Sequence, residues 1–140
     1  MPVADTELLF GLIPGDRLHR KAVASAARVD DLVIPEVSIF EFSLVLRSRG
    51  TAIPALRRSL LNLRAALAEQ GLGPAVPLST DLLIDAARIE DDFGLDLFDS
   101  LIGASGLAHD GWVVSDDDTF DAVDGLHRVG LGRPWSRPPE

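Results

Sequence analysis

Short apolar runs alternate with helix-length amphipathic segments from one end of this 140-residue chain to the other, and that alternation limits the fold more than any other feature. A strand that must pair in parallel with its neighbour can reach it only through a crossover connection, usually a helix. The pattern therefore predicts a three-layer α/β/α sandwich with a mainly parallel central sheet. Residues 2 to 5 (PVAD) read as a first strand, 32 to 34 (LVI) as a second and 75 to 78 (AVPL) as a third, pushed towards an edge by Pro77. Trp112 to Val114 (WVV) is the clearest strand, and Leu126 to Val129 reads as the last.

Between them the apolar spacing switches to the helical period. Residues 6 to 13 place Leu8, Leu9, Leu12 and Ile13 on one face, and 16 to 29 follow with Asp16 as N-cap. A helix over 37 to 49 stops at Gly50, and one over 54 to 70 opens on Pro54; the two suggest a helical hairpin. Ser79 or Thr80 caps a helix over 81 to 93, whose expected buried stripe is Leu82, Leu83, Ala86 and Ile89. A further helix spans 96 to 109, and SDDDTFDAV reads as a loop entering a short helix. Residues 1 to 131 are expected to form one domain. Residues 132 to 140, with prolines at 134, 138 and 139, are expected to be an extended tail in which Trp135 is either a surface anchor or disordered.

Composition narrows the chemistry. The absence of cysteine excludes disulfides, thiolate metal sites and a cysteine nucleophile, and His19, His109 and His127 have no HxH or HExxH spacing. Oxygen ligands remain, and these favour Mg²⁺ or Mn²⁺. The net charge of −9, from 22 acids against 13 bases, suits nonspecific binding of duplex DNA poorly, so any nucleic-acid contact must be local. No apolar run approaches the roughly 18 residues of a membrane span, and a charge stands as early as Asp5, so a cytoplasmic protein with no membrane association is expected.

Four acids stand where such a fold could gather them. Asp5 directly follows the first strand and Asp117 lies just past WVV, and ligands of open parallel sheets bind outside the carboxyl ends of strands. Glu41 shares a helix face with Val37, Leu44 and Val45, and Asp99 lies among Leu95, Ile102 and Gly103. Carboxylates crowded into apolar surroundings are costly unless a cation neutralises them. Each also fits a plain structural role: Asp5 as a helix cap, Glu41 at the edge of its stripe, Asp99 in a first turn capped by Asp96, and Asp116 to Asp118 as a solvated turn. Gly103 and Gly106 weaken the Asp99 helix by about 1 kcal/mol each relative to alanine, which points to close packing on the sheet.

These segments resemble the PIN domain family, and within it the small VapC-type toxin ribonucleases, over about residues 3 to 130. VADTELLFGL is similar to the family's opening strand with its aspartate, and IPEVSIFEFSLVLRSRG to the helix that carries its glutamate. DSLIGASGLAHDGWVVSDDDTF is similar to the aspartate helix, strand and closing "T.D..F" motif, with Ser115 in the threonine position. The resemblance implies a Mg²⁺- or Mn²⁺-dependent endoribonuclease with Asp5, Glu41, Asp99 and Asp117 as metal ligands and catalytic acids. Asp116 is the reserve for the fourth position, and Thr6 and Ser115 are candidates for orienting the carboxylates, beside a capping role. It also implies a homodimer and a partner antitoxin. Arg47, Arg49, Arg57 and Arg58 are candidate RNA contacts, with Arg64, Arg17, His19, Arg20 and Lys21 behind them; a solvated helix face explains them equally. The competing readings are a catalytically silent PIN-like RNA-binding or assembly module, and an aspartate-phosphorylated α/β protein. For the latter, Asp5-Thr6-Glu7 is a poor substitute for paired aspartates, and Lys21, the one lysine, lies in a helix near the start.

Overall fold

The strands in the computed structural model, which describes residues 1–139, are brief: β1 (Val3–Ala4), β2 (Ile34–Pro35), β3 (Pro74–Ala75), β4 (Trp112–Val114) and β5 (His127–Val129). All of their pairings are parallel, β1-β4-β5 in one ladder and β2-β3 in another. A parallel bridge from Val3 to Val33 joins the two, with Ala4 N–H donating to Val33 O and Val33 N–H to Pro2 O, both at 3.0 Å. The resulting order is β3-β2-β1-β4-β5. The chain moves outward from β1 in one direction through β2 and β3, then returns to its other side with β4 and β5. The switch therefore falls between β1 and β4, where a parallel sheet leaves a crevice at its carboxyl edge.

Successive strand residues face opposite sides, and the core divides accordingly. Ala4, Ile34, Val114 and Val129 join Leu8 and Leu9 of α1 (Thr6–Gly11) and Leu12 just after it, Ala22 of α2 (His19–Arg28) and Leu63 and Leu67 of α4 (Ile53–Glu69). Val3 and Val113 join Leu82, Ala86 and Ile89 of α5 (Thr80–Phe93) and Leu101, Ile102 and Ala104 of α6 (Leu97–Ala108). The helix α3 (Glu36–Ser48) contributes Val37 to the second cluster and Phe42 to the first. This is the expected three-layer sandwich. Among the described residues no helix is long and apolar enough to cross a membrane.

Local chemistry sets the helix ends. Asp5 accepts Thr6 N–H at 2.7 Å, Ser79 Oγ accepts Leu82 N–H at 3.1 Å and Asp96 accepts Asp99 N–H at 2.9 Å, so each satisfies a free amide of a first turn. Gly94 ends α5 at φ 74°. The helix α2 begins at His19, three residues later than expected, because Asp16 accepts Leu18 N–H at 2.9 Å and closes a turn instead. Leu83 is 46% exposed, since the stripe running through Leu82, Ala86 and Ile89 already faces the core and Leu83 lies beyond its edge. The third strand is cut to Pro74–Ala75 because Val76 turns to φ 53°, an uncommon conformation for a β-branched residue, directly before Pro77.

Gly106 permits the approach of α6 to the sheet: a Cβ there would lie 2.8 Å from Leu126 Cδ1 and 3.4 Å from Trp112 O, whereas Gly103 has ordinary room. Gly11 is tighter, with a Cβ meeting Ala22 Cβ at 2.6 Å, which fixes the spacing of α1 and α2. In the last described segment Trp135 is neither disordered nor a surface anchor. It is 8% exposed, bridges Val29 in parallel, donates its N–H to Arg28 O and accepts Asp30 N–H, and packs its ring 5.9 Å from Trp112.

Candidate metal centre

Asp5 sits at the carboxyl end of β1 and Ser115 at that of β4, so the sheet's switch point brings together two residues 110 positions apart. Ser115 Oγ donates to Asp5 Oδ2 at 2.6 Å, while Asp5 Oδ1 caps α1. Ser38 Oγ donates to Ala4 O at 2.8 Å and holds α3 against β1. One turn further along α3, Glu41 accepts the Thr6 hydroxyl through Oε1. Asp117 donates its N–H to Ser115 Oγ at 2.9 Å and caps the 3₁₀ turn Asp118–Ala122 through Thr119. Asp99 occupies the first turn of α6 and is half-buried. Asp96 caps this turn by accepting the Asp99 N–H.

Asp99 is the acid that the others share electrostatically. Burial pushes the Asp5 carboxyl up to about 7, helped by Glu7 and Asp99 and opposed by its bonds from Ser115 and Thr6. Burial likewise pushes Asp99 up to about 7, reinforced by Asp96, Asp117 and Glu41. Glu41 is raised by burial against the opposing Thr6 bond, with Asp96 adding repulsion. Among the described residues none of the four forms an ion pair with a basic side chain. Nor do any three Asp, Glu or His side chains there converge tightly enough to cage an ion directly. Magnesium dehydrates reluctantly and is commonly held by one or two carboxylates with several waters, so an open group of hard oxygen donors without a cationic neighbour fits a hydrated Mg²⁺ or Mn²⁺ ion.

Asp116, the reserve acid, points elsewhere: Oδ1 accepts Leu131 N–H at 2.9 Å, and Oδ2 lies 3.7 Å from Lys21 Nζ. The Thr6 hydroxyl donates to Glu41 and the Ser115 hydroxyl to Asp5. Arg47, Arg49, Arg57 and Arg58 are exposed; Arg49 lies over the Phe10 ring at 5.1 Å, and Arg57 and Arg58 lie outside the buried Leu56, Leu63 and Leu67 stripe of α4. Two acids escaped the sequence reading as site residues. Glu7 accepts Asp116 N–H at 2.6 Å and lies 3.1 Å from Ser115 Oγ, and Asp96 acts on both Asp99 and Glu41. Their spacing was a usable signal, since each lies within one turn of a chosen aspartate.

The PIN domain family model matches residues 3–126, a span containing all four acids. The chain belongs to the PIN domain family. No curated protein matches this PIN chain in sequence. Among solved structures, it resembles VapBC2 from Rickettsia felis, crystallised with a DNA fragment from their promoter, at 12% identity and a TM-score of 0.67 over 92% of this chain and 97% of that one. It also resembles a toxin-antitoxin complex from Klebsiella pneumoniae, at 17% identity and a TM-score of 0.63 over 96% and 100% of the two chains. At these identities the likeness is one of fold.

The raised carboxyls of the PIN site have a measurable consequence. Between about pH 4 and pH 7 folded Asp5 and Asp99 keep protons that the unfolded chain has released, so raising the pH through that window removes stability. Asp5 contributes on the order of 2–4 kcal/mol, and half-buried Asp99 less because water screens it. Denaturant unfolding in EDTA should give a lower midpoint at pH 8 than at pH 5, with Mg²⁺ recovering part of the loss at pH 8. A flat or rising profile across that window removes the carboxylate crowding.

Proposed function

We propose that this PIN protein is a divalent-metal-dependent endoribonuclease and the toxin of a toxin–antitoxin pair. The observation that carries the reading is the bonding at the sheet's switch point, where Ser115 joins Asp5 to Asp117 and Thr6 joins the start of α1 to Glu41, with Asp99 acting on Asp5. Asp5, Glu41, Asp99 and Asp117 would hold the ion, which supplies polarisation of the scissile phosphate and a bound water of lowered pKa. The chain's own residues prepare that site. Ser115 and the Thr6 amide orient Asp5 and favour its ionised form, and the Thr6 hydroxyl does the same for Glu41. Glu7, by accepting the Asp116 amide, fixes the loop from which Asp117 projects.

The acidic balance of the chain favours single-stranded or looped RNA reached by a few arginines over long duplex DNA. Both structural relatives come from toxin–antitoxin assemblies, which supports an antitoxin partner. Phe40, 56% exposed on α3, and Leu97, 50% exposed on α6, support a homodimer formed through these apolar positions. Incubating the purified protein with a mixed RNA pool tests the activity: cleavage is expected with Mg²⁺ or Mn²⁺ and none with EDTA. Cleavage that persists in EDTA, or none under any condition, leaves the silent binding module as the reading.

A further inference from the structure

We infer that the groove between α2 and the turn after β5 binds the phosphodiester backbone of the RNA strand beside the scissile phosphate. The inference rests on the nuclease reading for its ligand, and its test is independent of cleavage. The groove, about 490 Å³ in volume, is lined by Arg20, Lys21, Arg28 and Arg133, with Asp116 as its one acid. Four of the chain's 13 basic residues thus share one concavity on a protein of net charge −9. Among the described residues Arg20, Arg28 and Arg133 form no ion pair, and Lys21 has only the 3.7 Å approach to Asp116. Positive charge left largely uncompensated in a concave site attracts a polyanion.

The floor is built, not incidental. Gly132 adopts φ +80°, and a Cβ there would stand 3.6 Å from Lys21 Cα, Cβ and Cγ, so the lysine stem lies across the turn. Gly132 N–H donates to Ser25 Oγ at 2.7 Å, and Arg28 Nη1 donates to Gly132 O at 3.3 Å, tying the turn to α2. Leu131 N–H donates to Asp116 Oδ1 at 2.9 Å. Asp116 links the two sites: its side chain lines the basic groove, its N–H donates to Glu7, and the next residue is Asp117 of the proposed metal centre. A strand with one phosphate at the acids therefore has adjoining phosphates within reach of this groove, and arginine forks suit phosphate oxygens. RNA is favoured over an acidic protein segment because Asp116 in the groove's lining directly precedes Asp117, an acidic neighbourhood that an acidic peptide would avoid and a metal-bound phosphate would not.

The test measures binding of a fluorescent single-stranded RNA in Ca²⁺ in place of Mg²⁺, with a denaturing gel run on each sample to confirm that the strand stays intact, so that the signal reports affinity and not cleavage. The triple variant Arg20→Ala, Arg28→Ala, Arg133→Ala should bind at least about tenfold more weakly, and its log–log salt slope should fall by about 2, as expected for three lost single-strand phosphate contacts. The double variant Arg57→Ala, Arg58→Ala should stay within about twofold of wild type. Arg20 and Arg133 make no side-chain hydrogen bond among the described residues, so Arg20→Glu, Arg133→Glu provides a second variant that keeps the turn and should lose still more affinity. Unchanged affinity and slope in the groove variants, equal loss in the α4 variant, no RNA binding by wild type, or displacement of RNA by polyglutamate at equal charge each overturns the inference. Groove-dependent binding without cleavage of natural RNA would remove the nuclease reading and leave the groove; cleavage indifferent to the groove variants would do the reverse.

Discussion

Asp99→Asn should lower RNA cleavage by roughly a thousandfold or more, equivalent to about 4 kcal/mol of transition-state stabilisation, while the protein stays folded. Asp99 is acted on by Asp96, Asp117 and Glu41 together, so removing its charge weakens the negative field at its centre. The fold should not suffer, because the Asp99 backbone N–H, not its side chain, makes the bond to Asp96 that starts α6. In EDTA at pH 8 the variant should be as stable as wild type or slightly more so, since a half-buried ionised carboxyl is replaced by a neutral amide. Asp5→Asn should abolish cleavage as well, with a smaller gain in stability, because Asp5 accepts two hydrogen bonds that an amide cannot match. Steady-state cleavage and denaturant melts of the same preparations check both halves. A variant at either position that keeps full activity reduces these aspartates to helix caps.

Trp135→Ala should destabilise the protein by about 3–5 kcal/mol, a fall of about 10–17 °C in melting temperature for a chain of this size. The indole is shielded by Trp112 and the Val29 region, and its removal leaves a void beside β4 together with a loosened bridge from the last segment to the end of α2. Trp112 opens β4 and Ser115 follows its close, so the loss falls at the opposite end of the strand from the acids. Cleavage measured well below the melting temperature should therefore survive. An unchanged melting temperature would mean that the aromatic contact contributes nothing.

The layers of the fold were legible because strand and helix periods alternate cleanly, and the two sides of the sheet follow from residues as local as Val3 against Ala4. The positions of the candidate acids were legible for a similar reason: Asp5 and Asp117 follow strand ends, and Glu41 interrupts an apolar face. What could not be read depends on contacts between distant segments. Trp135 lies among prolines with no periodicity, and only the parallel bridge to Val29 makes it core. Among Asp116, Asp117 and Asp118, composition offers no choice; the Leu131 amide and Lys21 draw Asp116 aside, and Asp117 is the one that acts on Asp99. Leu83 and Val76 deceived in opposite ways, one apolar but turned outward, the other β-branched but turned out of the sheet by a positive φ.

The most direct measurement is the anomalous difference density of a crystal grown or soaked with Mn²⁺. A peak within direct or water-mediated reach of Asp5, Glu41, Asp99 and Asp117, absent from the Asp99→Asn crystal, is the expected result. Manganese that binds only elsewhere on the molecule, or at the same place with the Asp99 carboxylate gone, would show that these four acids do not form a metal centre.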